Sequence, residues 1–145
     1  MHMKSKGYIK KGIDNAIIFL IILLGFFLRF YNLARESLWI DESDAGILPA
    51  KQSITYLLDP NINLPVSTYH IILHYWMQIF GQSEFSARFP ALIFGILSIF
   101  MIYKLGKVLF DQEIGLLSAL ILAISPFHIH YSQEARPYSL LMLLS

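Results

Sequence analysis

The sequence predicts an all-α protein that crosses a membrane several times, and three observations lead there. Hydrophobic residues make up 56% of the 145 positions and charged residues 14%, against about 25% charged in an ordinary soluble domain. The apolar residues are gathered into long runs, the first close to the roughly 20 residues a helix needs to cross the hydrocarbon core. None of these runs carries a polar stripe wide enough for a soluble bundle. The same composition excludes other classes. A net charge of +1 gives a nucleic-acid partner no electrostatic support. The absence of cysteine removes disulfides, thiolate metal sites and cysteine nucleophiles together.

The first run is "NAIIFLIILLGFFLRFYNL", Asn15 to Leu33, with Arg29 its only charge. Lys4, Lys6, Lys10 and Lys11 precede it, as in a signal peptide. The residues that follow, "FLRFYNLARESLW", are bulky and charged where a cleavage site needs small ones. A retained span over 15–34 is therefore expected. The second span, 88–108, is short, but Arg88 and Lys104 can snorkel. The third runs from Ile114 to Gln133 (span 113–132), and "PYSLLMLLS" opens a fourth from 137. The chain stops inside that apolar run, as expected of the N-terminal portion of a longer membrane protein.

A cytoplasmic N-terminus would put Lys4, Lys6, Lys10, Lys11, Lys104 and Lys107 inside, in short segments. Arg29, Arg35, Lys51, Arg88 and Arg136 would be spread over a much longer outer stretch. That density difference sets the expected orientation, a multi-pass protein of the plasma membrane with an outer loop over 35–87.

A loop this long usually has structure or function of its own. "ESDAGILPAKQSITYLL" reads as an interfacial helix that Pro49 would interrupt or bend, and "DPNINLP" as a turn. "STYHIILHYWMQIFG" reads as a second helix, with His70, His74 and Gln78 at i, i+4, i+8 forming a narrow polar stripe toward water or a substrate cleft. Tyr69, Tyr75 and Trp76 suit headgroup depth. Two histidines four apart can ligate a metal, but the glutamate between them and a nearby third ligand are missing.

Asp41, Glu42 and Asp44 lie within four positions just after the first span. Crowded carboxylates repel, and at low dielectric at least one pKa should rise, which suits a general base or a divalent-ion site. A solvated acidic loop or a helix N-cap fits the same residues. "YSQEARPYSL", Tyr131 to Leu140, puts Glu134 and Arg136 between two apolar runs. Ionisable groups at the mouth of a span are a functional hypothesis by default; for Arg136, snorkelling or an ion pair with Glu134 is the plainer account.

Together these pieces resemble the GT-C superfamily of integral-membrane glycosyltransferases, and most closely the dolichyl-phosphate-mannose protein mannosyltransferase group (family 39-like). Four features carry the likeness in order: "SLWIDES" after the first span, the loop helix "NLPVSTYHIILHYWMQIFGQSEFSARFPALIFGIL", the basic turn "KLGKVLFDQEIG", and "ISPFHIHYSQEARPYSLLMLL". The chain departs from it in having the single Pro65 where many relatives have a proline pair.

The resemblance implies a GT-C-like fold and an inverting transfer on the extracytoplasmic face. The sugar would come from a polyprenyl-phosphate donor and pass to a hydroxyl of a protein, lipid or glycan. Asp41 matches the residue that deprotonates the acceptor, with Glu42 assisting. Arg136 would bind the donor phosphate, and Glu134, Tyr69, His70, Arg88 and Tyr138 would complete the substrate site. No nucleotide-binding loop is needed, and none is visible. Glu134 could ligate a divalent cation, as outer-loop acids do in some relatives, whereas others work without metal. A transporter with Asp41, Glu42 and Arg136 along its path is the alternative from another class, but it should carry mid-membrane charges and inverted repeats. A noncatalytic subunit of a glycosylation complex is the third reading.

Overall fold

The computed structural model describes residues 2–31, 33, 39–59 and 68–145; the side chains of 2–11, Asp41 and Ala45 lie outside the description. The described residues form helices and no strand, an all-α fold. Helix α1, His2–Phe30, is the first apolar run extended backwards through the lysines. Its segment Gly12–Phe30 is long and apolar enough to cross a membrane, as is α6, Glu84–Leu109. Half of the α6 segment is buried (50%) against 22% of α1, so α6 is the central helix and α1 lies at the flank. Phe19, Leu20 and Phe27 of α1 remain exposed, as lipid-facing side chains should.

The loop after α1 is helical in short pieces. Ile40–Glu42 (α2), the π-helical turn Ser43–Ile47 and Leu48–Lys51 (α3) follow one another without a break. Pro49 stands at the start of α3, where its missing N–H costs little, so it does not interrupt the helix. Ser53 caps α4, Ile54–Leu57, by accepting from the Tyr56 N–H at 3.2 Å. The expected turn "DPNINLP" falls at 59–65, of which only Asp59 is within the described residues.

The loop helix α5, Thr68–Phe80, buries Tyr69, Leu73 and Met77 against Ile47, Ala50, Ala87, Ala135 and Leu140. Tyr69 therefore points into the core rather than to a headgroup layer. His70 and His74 are buried too; His74 Nδ1 donates to the Ala50 carbonyl at 2.8 Å, and its Nε2 accepts from Gln78 at 2.8 Å. Of the stripe, His74 is thus tied to α3 and Gln78 remains exposed.

A sharp hairpin joins α6 to α7, Gln112–Ile124. The Asp111 carboxylate caps α7 by accepting from the Ile114 N–H at 2.8 Å. Gly106 and Gly115 let the two helices touch; a Cβ on Gly106 would stand 2.9 Å from the Gly115 Cα. Ile18 and Ile21 of α1, Ile99 and Tyr103 of α6, and Ala119 and Ala123 of α7 close the core between these three helices.

The third apolar run is divided between α7 and α8, Pro126–Tyr131. Proline drives the residue before it out of the helical region, and Ser125 is extended, with ψ 116°. Its hydroxyl then accepts from the His128 N–H and starts α8. After the segment 132–137 the chain re-enters helix at α9, Tyr138–Leu144, which packs along α6.

Candidate active site

One end of the bundle gathers the C-terminus of α1, the N-terminus of α6, α2 and the segment from α8 to Arg136. Glu42 is the hub. Its carboxylate is 2% exposed and takes a two-pronged bond from Arg88, Nε to Oε1 at 2.9 Å and Nη2 to Oε2 at 2.7 Å. The Ala135 N–H donates to Oε1 at 2.9 Å, and the Trp39 N–H reaches Oε2 at 3.3 Å. Arg88 also donates to the Leu33 carbonyl at 3.0 Å. Three separate stretches of chain are thereby tied to one carboxylate. A planar guanidinium is suited to this because its fork matches both carboxylate oxygens.

Burial pushes the Glu42 carboxyl up, but the Arg88 bond and charge and the two backbone N–H donors outweigh it and hold the group below its ordinary range. Glu42 is therefore an anion with its oxygens occupied, a poor proton acceptor and a firm anchor. Burial and the nearby Glu42 charge both push the Tyr69 phenol up, so it stays neutral.

Gly46 makes the approach possible. A side chain there would collide with the Ala135 carbonyl, so the π-helical turn and the segment around Ala135 pack backbone to backbone.

Beside Glu42 opens a cavity of about 360 Å3, lined by Tyr31, Trp39, Glu42, Arg88, Gln133 and Glu134 among others. A smaller one of about 170 Å3 is lined by Trp39, Glu42, His130, Glu134 and Arg136. Glu134 pairs with His130 at 3.0 Å. The Arg136 guanidinium lies over the Tyr138 ring, 4.7 Å from its centroid, a cation–π contact that orients it.

The sequence-derived residues thus divide. Glu42, Arg88, Glu134 and Arg136 come together around the two cavities, with Tyr138 holding Arg136. Tyr69 and His70 are buried and line neither of these cavities. Asp41 adjoins the hub on α2, but its side chain lies outside the described residues. Among the described residues no three imidazole or carboxylate groups converge. Glu134, the residue the resemblance offers as a cation ligand, stands beside His130 on the smaller cavity.

Sequence reasoning missed Arg29 and Gln133. Arg29 is fully buried, within the first span. It donates to the carbonyls of Gly25, Ala123 and Leu122 at 3.0, 2.9 and 3.1 Å, and to His128 Nδ1 at 2.8 Å. The signal available was a lone charge inside an apolar run, which is costly unless bonded.

The fold and this acid–guanidinium cluster define an all-α membrane protein with a polar site at one end of its helices. Residues 65–145 match the family model described as dolichyl-phosphate-mannose-protein mannosyltransferase, and the chain belongs to that family. At the level of the family it is a glycosyltransferase of the mannosyltransferase type. No curated protein and no solved structure matches it.

Proposed function

We propose that the protein transfers mannose from a polyprenyl-phosphate donor to a hydroxyl of a protein, lipid or glycan, with inversion, on the extracytoplasmic side of the plasma membrane. The observation that carries this reading is the tie between Glu42, Arg88 and the Ala135 N–H. It puts the acidic segment and the Arg136 segment on the same cavity walls.

In this reading Asp41 is the base. The acceptor oxygen attacks the anomeric carbon while its proton passes to Asp41. The bond from the anomeric carbon to the phosphate oxygen breaks, and the electron pair leaves with the phosphate, which Arg136 stabilises. Glu42 and Arg88 position Asp41 without taking the proton themselves. Glu134 and His130 shape the cavity beside Arg136, and Tyr138, over which Arg136 lies, meets Tyr131 edge to face with ring centroids 4.8 Å apart. Membrane lipids surround the rest. The outward orientation is supported by the dense lysines of the N-terminal segment and of the hairpin end.

The test is Asp41→Asn in full-length protein reconstituted with a polyprenyl-phosphomannose donor and a serine-containing peptide. Shape is kept and the proton acceptor removed, so turnover should fall by about 100-fold or more. The donor KM should barely move. Near-normal turnover of Asp41→Asn rules out Asp41 as the base.

A further inference from the structure

Two helix ends meet beside the site, and each is capped by a side chain from the other part of the chain. The last carbonyls of a helix have no partner within it. At the end of α7 the Leu122 and Ala123 carbonyls accept from Arg29 of α1 at 3.1 and 2.9 Å. At the end of α1 the Arg29 and Tyr31 carbonyls accept from Gln133 Nε2 at 3.0 and 2.8 Å. Arg29 thus holds α7, and Gln133 holds the turn that carries Arg29.

Snorkelling does not account for this. A snorkelling arginine near a span end extends toward water, whereas Arg29 has no exposed surface and folds back as far as the Gly25 carbonyl. His128 locks the arrangement. Its Nδ1 accepts from Arg29 at 2.8 Å, so the ring proton sits on Nε2. The Ser132 hydroxyl ties the same turn by donating to the His128 carbonyl at 2.6 Å.

Gln133 directly precedes Glu134, Ala135 and Arg136. The Ala135 N–H is a ligand of the Glu42 carboxylate, and Arg136 lines the smaller cavity. One side-chain amide therefore sets the height of that segment against the end of α1.

We infer that Arg29 and Gln133 form a reciprocal helix-end latch, and that Gln133 is a positioning residue for sugar transfer, acting through Ala135 and Arg136. The inference rests on the transferase reading above for its effect on turnover, but not for the latch itself.

The experiment measures hydrogen exchange and donor kinetics on the same full-length protein in lipid nanodiscs. Arg29 variants risk misfolding, so Gln133→Ala and Gln133→Glu carry the test. Gln133→Ala should speed exchange of the peptide containing 133–136 by about tenfold, with the α6–α7 hairpin unchanged. With the polyprenyl-phosphomannose donor its KM should rise at least about threefold and kcat fall about tenfold. A merely structural loss would shrink the active fraction and leave KM alone. Gln133→Glu should be worse than Gln133→Ala, because a carboxylate cannot donate to the two carbonyls. Unchanged exchange in both variants overturns the latch. Faster exchange with unaltered KM and kcat overturns the positioning role. If the unmodified protein transfers no sugar, the transferase reading and the positioning role fail together, and the exchange result alone decides the latch.

Discussion

At the hairpin end, where α6 turns into α7, the contacts are local and mostly apolar. Gly106 lies on Gly115, Tyr103 accepts from Gln112 nine residues away at 2.8 Å, and Asp111 caps its own helix. At the site end the bonds between separate segments join residues 46 to 105 positions apart, and nearly all involve a charged or amide side chain on a backbone group or an ion pair. Local contacts form at little loop-closure cost, whereas distant ones must overcome it before they contribute. Buried charges also carry a desolvation penalty that only good geometry offsets. The site end is therefore the costlier way to hold helices together, and it does so where the candidate-site residues Glu42, Arg88, Glu134 and Arg136 gather. The difference indicates that this end is arranged for a fixed constellation of polar groups, and the hairpin end for simple adhesion.

The largest expected effect breaks the ion pair. Arg88→Met should destabilise by about 3–5 kcal/mol, because it strands the Glu42 carboxylate in a buried place. Adding Glu42→Leu should recover part of that loss, since two apolar groups replace a broken pair. The midpoint of thermal unfolding in detergent reads both variants. A double variant no more stable than Arg88→Met would mean that Glu42 was not the group left stranded. The same pair predicts a pH dependence. The folded Glu42 carboxyl lies below its ordinary 4.5, so its contribution is whole above that value and fades as pH falls through the depressed one. Glu42→Gln should flatten the fall in unfolding temperature below pH 4.5.

The second prediction sharpens the comparison at a glycine. Gly46→Ala must push the π-helical turn away from the Ala135 carbonyl. A loss of about 1–3 kcal/mol is expected, as for other overpacked sites, with a fall in turnover because Ala135 carries the Glu42 bond. Gly12, on the exposed early part of α1, has nothing within 4 Å of an added Cβ. Gly12→Ala should be neutral or stabilising by up to about 1 kcal/mol. Equal effects of the two would show that the close approach at Gly46 is unimportant.

The sequence carried the all-α membrane class and the family, because long apolar runs and ordered motifs are properties of one stretch of chain at a time. The loop helix read from "STYHIILHYWMQIFG" corresponds to α5 for the same reason. What was not legible is what depends on partners far along the chain. Arg29 looked like any charge near a span end, since nothing local says that its carbonyl partners lie 93 and 94 residues away. Glu42 and Asp41 are adjacent acids in the sequence; only Arg88 and Ala135 set Glu42 apart as an anchor. Tyr69 has the composition of an interfacial anchor, and its burial follows from α5 packing on α6 through Tyr69 and Phe94. The division of the third run was the exception. Ser125–Pro126 was a local break signal, overridden by the length of the apolar run.

The smallest expected effect tests whether the two ends are independent. Gln112→Leu removes the donor to the Tyr103 hydroxyl, whose residue is 5% exposed. The lost bond should cost about 0.5–1.5 kcal/mol, the usual net worth of a neutral hydrogen bond. Leucine at this half-buried position recovers some of it by covering apolar surface. Turnover should not change, because the Gln112–Tyr103 bond lies within the hairpin end, and α6 between the two ends is a long helix braced by α1 and α7. Thermal unfolding and donor kinetics on the same preparation give both numbers. A small drop in stability with unaltered kinetics supports adhesion at one end and positioning at the other. A tenfold loss of turnover would instead mean that strain at the hairpin travels along α6 to Arg88. The helix would then be a coupling element between the ends, and the contrast between them would be one of sequence distance only.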